Sequence, residues 1–215
     1  FSAQHIEELT SMLQLCQENG TRLLLISAPK TTLDVVSYET YFDDYAYFKQ
    51  LAAQYGASYY DFNLAKPELF ENKEPDYHKD FTHMNAAGGH AFSLSMAKFL
   101  AMLDAGQDVE SLFETPSEYL VAVNYITNVY LTPEVHPDKI LLLAGSYHGP
   151  SVQAEYEFWV KAPGESEYSR VSAYSTRSWT EYAAAEHGTY QFRVNARIVG
   201  SSADFERYYE CSVDF

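Results

Sequence analysis

Apolar residues along the first hundred positions switch between helical and strand-like spacing. Over residues 3–19, Ile6, Leu9, Leu13 and Cys16 recur three or four residues apart and Gly20 follows, which predicts a helix with a glycine stop. Leu23, Leu24, Leu25 and Ile26 form an unbroken apolar run ending at Ala28-Pro29, the pattern of a parallel, interior strand covered on both faces. Ser37 is placed to cap a second helix, whose Tyr41, Tyr45, Phe48, Ala52 and Tyr55 share a face before Gly56 ends it. A shorter strand is predicted over 57–62. After a long irregular stretch, Asn85 is placed to cap a third helix with Phe92, Met96, Phe99 and Leu103 facing inward and Gly106 closing it.

The pattern then changes. From about residue 115 helical periodicity fades, and short alternating runs recur between turn signals, as in an antiparallel sandwich. The clearest is Tyr190, Phe192, Val194, Ala196 and Ile198, with Gln191, Arg193, Asn195 and Arg197 on the other, wetter side. Further strands are predicted over 156–160, 139–144 and 208–215. A boundary near residue 110 gives two domains, 1–110 and 115–215.

Composition narrows the class. Hydrophobic residues make up 47% and charged residues 20% of 215, so a disordered or low-complexity chain is excluded. The net charge of −16 opposes binding to phosphate backbones, so nucleic acid is not an expected partner. No apolar run approaches the ~18–20 residues needed to span a bilayer. Phe1 stands where a start methionine would, and the expectation is a piece of a longer precursor. Cys16 and Cys211 lie near opposite ends and are read as small buried hydrophobes.

One stretch brings an acid and an imidazole into catalytic spacing: Asp80-Phe81-Thr82-His83-Met84-Asn85-Ala86-Ala87-Gly88. An aspartate three residues before a histidine in a tight loop can turn its carboxylate onto Nδ1–H, fixing the tautomer and leaving Nε2 as a general base. Chance alone supplies about 0.4 such pairs at one fixed spacing in a chain of this composition, so context must carry the assignment. The bland alternative is that Asp80 bonds its own loop and His83 packs before the helix. A metal reading draws on Asp76, His78, Asp80 and His83, but their spacing matches no tetrahedral zinc pattern, and neither CxxC nor HExxH occurs. Gly88-Gly89 lacks the Lys-Ser/Thr of a phosphate loop and is read as permitting close helix packing. No metal and no cofactor are expected.

Asp80, His83, Asn85 and Gly88, followed by a long helix, resemble the last motif block of the SGNH/GDSL hydrolases. The resemblance covers roughly residues 22–103. It implies an α/β portion with a partial flavodoxin-like parallel sheet, and Asp80 and His83 as acid and base of a Ser-His-Asp esterase. The substrate so implied is an acylated carbohydrate or lipid, and the parent an exported, extracellular or cell-surface bacterial enzyme. His83 must be neutral to accept a proton, so activity falling below about pH 6.5 is implied. The chain departs from the family in having neither the Gly-Asp-Ser nucleophile motif nor a Gly-x-Ser-x-Gly elbow. Ser27 is the one positional candidate and is read as packing or capping, so the nucleophile is expected outside this chain and the chain alone to be inactive. A sheet truncated to two strands leaves an open edge, hence an expected homodimer through that sheet.

Residues 152–215, with Trp159, Tyr168, Tyr174, Trp179 and Gly188-Thr189-Tyr190, resemble the triple-tyrosine, immunoglobulin-like β-sandwich modules of bacterial surface proteins. That likeness implies a tyrosine corner at Tyr190, Phe192 where a disulfide cysteine often sits, and Trp159 as a core residue. Tyr168, Tyr174, Trp179 and Tyr182 either stack on sugar or fill the core and its rims, the second being favoured. The expectation is a hydrolase fragment with an appended sandwich. Its rival is a non-catalytic surface module whose sandwich binds glycan or a protein partner.

Overall fold

The computed structural model describes residues 2–78, 80 and 82–215. Phe1, on which the precursor expectation rests, and Phe81 of the Asp80–Gly88 block lie outside the described residues. The chain divides into two compact units, residues 1–119 and 120–215.

In the first unit, helix α1 (Ala3–Glu18) starts at Ser2, whose hydroxyl accepts the His5 N–H. Strand β1 (Leu24–Ser27) pairs in parallel with β2 (Ser58–Asp61) in the register Leu24 to Ser58 and Ser27 to Asp61. Between them lie α2 (Thr32–Ser37) and α3 (Tyr41–Gln54). Ser37 does not cap α3. It ends α2, a short helix that the Thr31-x-x-Asp34 pattern starts, the Thr31 hydroxyl accepting the Asp34 N–H, and α3 begins from Thr40 with no side-chain cap bond. Helix α4 (Ala86–Asp104) begins at Asn85, whose Oδ1 accepts the N–H groups of Ala87 and Gly88. Gly20 and Gly106 sit at φ +64° and +68° just past α1 and α4, a conformation with little cost only for glycine.

The expected flavodoxin-like parallel sheet does not form. Among the described residues parallel pairing is confined to β1 and β2, and the remaining seven strands are antiparallel, so the chain is mixed α/β with antiparallel strands predominating. The reason is local: among the described residues of 62–85 the backbone forms 3₁₀ turns at Phe62–Leu64 and Glu74–Asp76 and the isolated Tyr77–Met84 bridge, and adds no third strand. The Leu-rich run is accordingly half-buried along its length and not covered on both faces. The core of this unit lies where β2 meets α4. Phe99 is fully buried, with Tyr60 and Phe62 edge-on to it at centroid distances of 4.8 and 5.4 Å, and Phe92, Met96 and Leu103 pack half-buried around it.

Helix α5 (Pro116–Ala122) leads into the second unit. Here β3 (Ile126–His136), β4 (Lys139–His148) and β7 (Trp179–Tyr182) form one antiparallel sheet in the order β3-β4-β7. Strands β5 (Ala154–Lys161), β6 (Ser169–Ser175), β8 (Thr189–Ile198) and β9 (Arg207–Asp214) form a second, ordered β6-β5-β8-β9. One buried cluster draws Ile140 and Leu142 from the first sheet and Phe158, Phe192 and Val194 from the second.

Alternation along β8 buries Tyr190, Phe192, Val194 and Ala196, but the opposite face is not simply wet, since Asn195 is buried too. That face carries its own layer: the Glu155 carboxylate meets Arg197 at 2.6 Å, Glu210 pairs with Arg193, and Trp159 Nε1 donates to Glu157 Oε2 at 2.8 Å. Trp159 is therefore a half-buried member of this outer layer, and its neighbour Phe158, 1% exposed, fills the core instead. Strand period two puts the pair on opposite faces, and Phe is the one without a polar atom to satisfy. The Tyr190 hydroxyl donates to the Glu186 carbonyl at 2.9 Å, bonding backbone upstream. Cys16 and Cys211 are free and only half-buried, and burial pushes the Cys211 thiol pKa up.

Candidate active site

The loop between the Glu74–Asp76 turn and α4 is closed at its neck by backbone bonds. Tyr77 and Met84 form an isolated antiparallel bridge, His78 N–H donates to the His83 carbonyl at 2.8 Å, and Asn85 N–H donates to the Asp76 carbonyl at 2.8 Å. Asn85 has a second task besides capping α4, since its Nδ2 donates to the carbonyl of Pro75 at 2.8 Å. These bonds place Thr82 and His83 at the N-terminal end of α4.

At the tip of this loop stand both residues singled out from the sequence. Asp80 Oδ1 accepts the backbone N–H groups of Thr82 and His83 at 3.0 Å each, and Asp80 Oδ2 lies 2.9 Å from His83 Nδ1. The backbone N–H of His83, then that of Thr82, then the His83 ring bring the Asp80 carboxyl pKa down to about 2. It is thus an anion at any ordinary pH. An anion facing Nδ1 selects the Nδ1–H tautomer, which leaves Nε2 as the acceptor. The His83 side chain is 78% exposed, so that nitrogen is reachable.

His83, Thr82 and Met84 form one side of a cavity of about 400 Å³. Ser27 from the end of β1, Tyr59 from β2, Tyr41, Tyr45 and Phe48 from α3, and Asn63 line the rest. Tyr59 packs against Tyr45 and Phe48 at centroid distances of 5.7 and 6.3 Å, which makes a continuous aromatic wall. Ser27 Oγ is 2.7 Å from Tyr59 Oη. Burial, with the Asp61 charge adding to it, pushes the Tyr59 phenol pKa up to about 12, so it serves Ser27 as a neutral hydrogen-bond partner and not as a base.

Behind the wall sits a buried polar knot that sequence reading missed. Asp61, 2% exposed, accepts from Tyr41 Oη at 2.7 Å and from the Asn63 backbone and side chain at 3.0 and 2.8 Å. Asn63 also accepts the Lys30 N–H at 2.7 Å, which ties the loop after β1 to the turn after β2. Burial raises the Asp61 pKa in spite of these bonds, and it raises that of Tyr41 with the help of Asp61. The available signal was Asp61-x-Asn63 at the end of a strand, an Asx-type turn motif.

No protein-family model matches the chain, and no curated protein matches it. The site therefore stands on its own geometry. Among the described residues no group of three or more His, Cys, Asp or Glu side chains is placed to hold one metal ion, and the cluster around Asp76 and His78 supplies none. Among them, too, no helix is long and apolar enough to cross a membrane. On the second unit, the aromatic faces weighed for sugar stacking already carry cations. Arg193 sits 4.7 Å from the Tyr168 ring, Arg197 3.9 Å from Tyr174 and Arg177 4.7 Å from Trp179, while Tyr182 packs on Tyr190. A ligand stacking on those same faces of Tyr168, Tyr174 or Trp179 would have to displace a guanidinium.

Proposed function

We propose that the first unit carries the acid–base half of a Ser-His-Asp acyl-ester hydrolase of the SGNH kind. The observation that supports this reading is the 2.9 Å contact between Asp80 Oδ2 and His83 Nδ1 at the wall of an aromatic cavity. In the proposed reaction His83 Nε2 takes the proton of a serine hydroxyl as its oxygen attacks the acyl carbonyl. The imidazolium, stabilised by Asp80, returns that proton to the leaving alcohol, and water repeats the sequence to free the acid. The attacking serine and the oxyanion donors come from outside residues 1–215. An acylated carbohydrate or lipid is the proposed substrate, at the bacterial cell surface.

The test is hydrolysis of acetyl esters by the complete gene product. Without its base a comparable triad loses on the order of 10⁶ in rate, so His83→Ala should abolish turnover. Activity that survives this substitution refutes the assignment. The two-stranded β1–β2 sheet, with no further strand on either side among the described residues, supports pairing with a second copy. A monodisperse monomer in light scattering would rule that pairing out.

A further inference from the structure

We propose that Gly88 is a positioning residue for His83, coupling the catalytic loop to helix α4 by the absence of a side chain. The inference rests on the acid–base reading of Asp80 and His83 and deepens it. Gly88 is buried, two residues into α4. A Cβ built on it would lie far inside contact distance of the Asp76 carbonyl oxygen and 2.9 Å from Asp76 Cβ. That same carbonyl accepts the Asn85 N–H, and Asp76 directly precedes Tyr77, whose bridge to Met84 closes the neck of the loop. Any side chain at 88 must therefore push Asp76 off the helix. Such a shift opens the neck of the loop that carries the 2.9 Å contact at its tip. Gly89, one residue on, has nothing within 4 Å of its would-be Cβ. Adjacent glycines of equal helix propensity thus differ in whether a Cβ would meet Asp76.

This difference supplies the experiment. The tautomer of each histidine is read from the ¹⁵N shifts of its ring in the 215-residue chain, with thermal unfolding recorded alongside. In the wild type His83 is expected to be held as Nδ1–H. Gly88→Ala should lose that preference and bring His83 to the tautomer mixture of the other exposed histidines, while Gly89→Ala keeps it. If Gly88→Ala fails to fold, Asn85→Asp decides. It retains the Oδ1 that caps α4 but loses the Nδ2 donor to Pro75, and it should release His83 with the helix intact. An unchanged His83 in a folded Gly88→Ala or in Asn85→Asp overturns the proposal, as does equal release in Gly89→Ala. A wild type with no Nδ1–H preference overturns both this proposal and the acid–base reading beneath it.

Discussion

Asp80 faces two ways: through Oδ2 it meets His83 Nδ1 at 2.9 Å, and through Oδ1 it accepts the backbone N–H of that same His83 at 3.0 Å. One carboxylate therefore shapes the loop and orients the ring. In Asp80→Asn the amide oxygen is needed by the two backbone donors, so its NH₂ group turns toward Nδ1 and donates. The imidazole then carries its proton on Nε2 and cannot act as a base. Ester hydrolysis by the complete gene product should fall on the order of 10⁴-fold, with the fold intact by circular dichroism. Wild-type rates in this variant would remove Asp80 from the mechanism.

The same carboxylate sets an acid limit. Its pKa is lowered in the folded loop to about 2, against ~3.9 in an unfolded chain. The unfolded state binds the proton more readily, so this contribution to loop order is complete above about pH 4 and disappears as pH falls through 2. The Thr82 and His83 amide resonances, followed in an NMR titration below pH 4, should move together as pH falls through about 2.

Asp61 behaves oppositely. Burial raises its pKa, so the native state holds the proton more tightly than the unfolded one, and its contribution declines as pH rises from ~3.9 through the native value. Asparagine cannot ionise. The stability of Asp61→Asn relative to wild type should therefore climb between pH 3 and pH 7 in urea unfolding. A difference that stays flat or falls with pH would contradict this.

Phe158 and Trp159 are neighbours on opposite faces of β5. Phe158→Ala empties a site 1% exposed and should cost about 3–5 kcal/mol in denaturant unfolding. Trp159→Ala removes a half-buried ring and one bond to Glu157 and should cost roughly 1–2 kcal/mol. A reversed order would mean that the core lies on the other face.

Much of this arrangement was legible from spacing, because α1, α4 and β8 bury one face each and their periodicity records it. Asn85 and Gly106 mark the two ends of α4 for reasons local to the backbone. The contact between Asp80 and His83 was legible too, since it spans only three residues. What spacing does not encode is what meets across the chain. The cavity wall gathers Ser27, Tyr41, Tyr59 and Asn63 from four separate segments, and nothing in their local sequence says so. Ser37 is not the cap of α3 because Thr31 with Asp34 starts an earlier helix that ends at Ser37, and spacing alone does not rank the hydroxyl residues upstream of α3. The flavodoxin-like sheet is implied by the family resemblance alone, since the Leu-rich run reports that a strand is buried somewhere without saying how many partners it has.

Strand order in the second unit has a kinetic consequence. Strands β3 and β4 meet at His136 and Lys139 and can zip as a hairpin, whereas β5 reaches its partner β8 only across the stretch between Lys161 and Gln191. Closing that long loop precedes any reward from Phe158, Phe192 and Val194, so refolding should run on the millisecond-to-second scale of sandwiches dominated by non-local pairing. During synthesis, β5 must emerge and wait with one edge unpaired until the ribosome has released β8, a window in which an open strand edge is prone to wrong pairing.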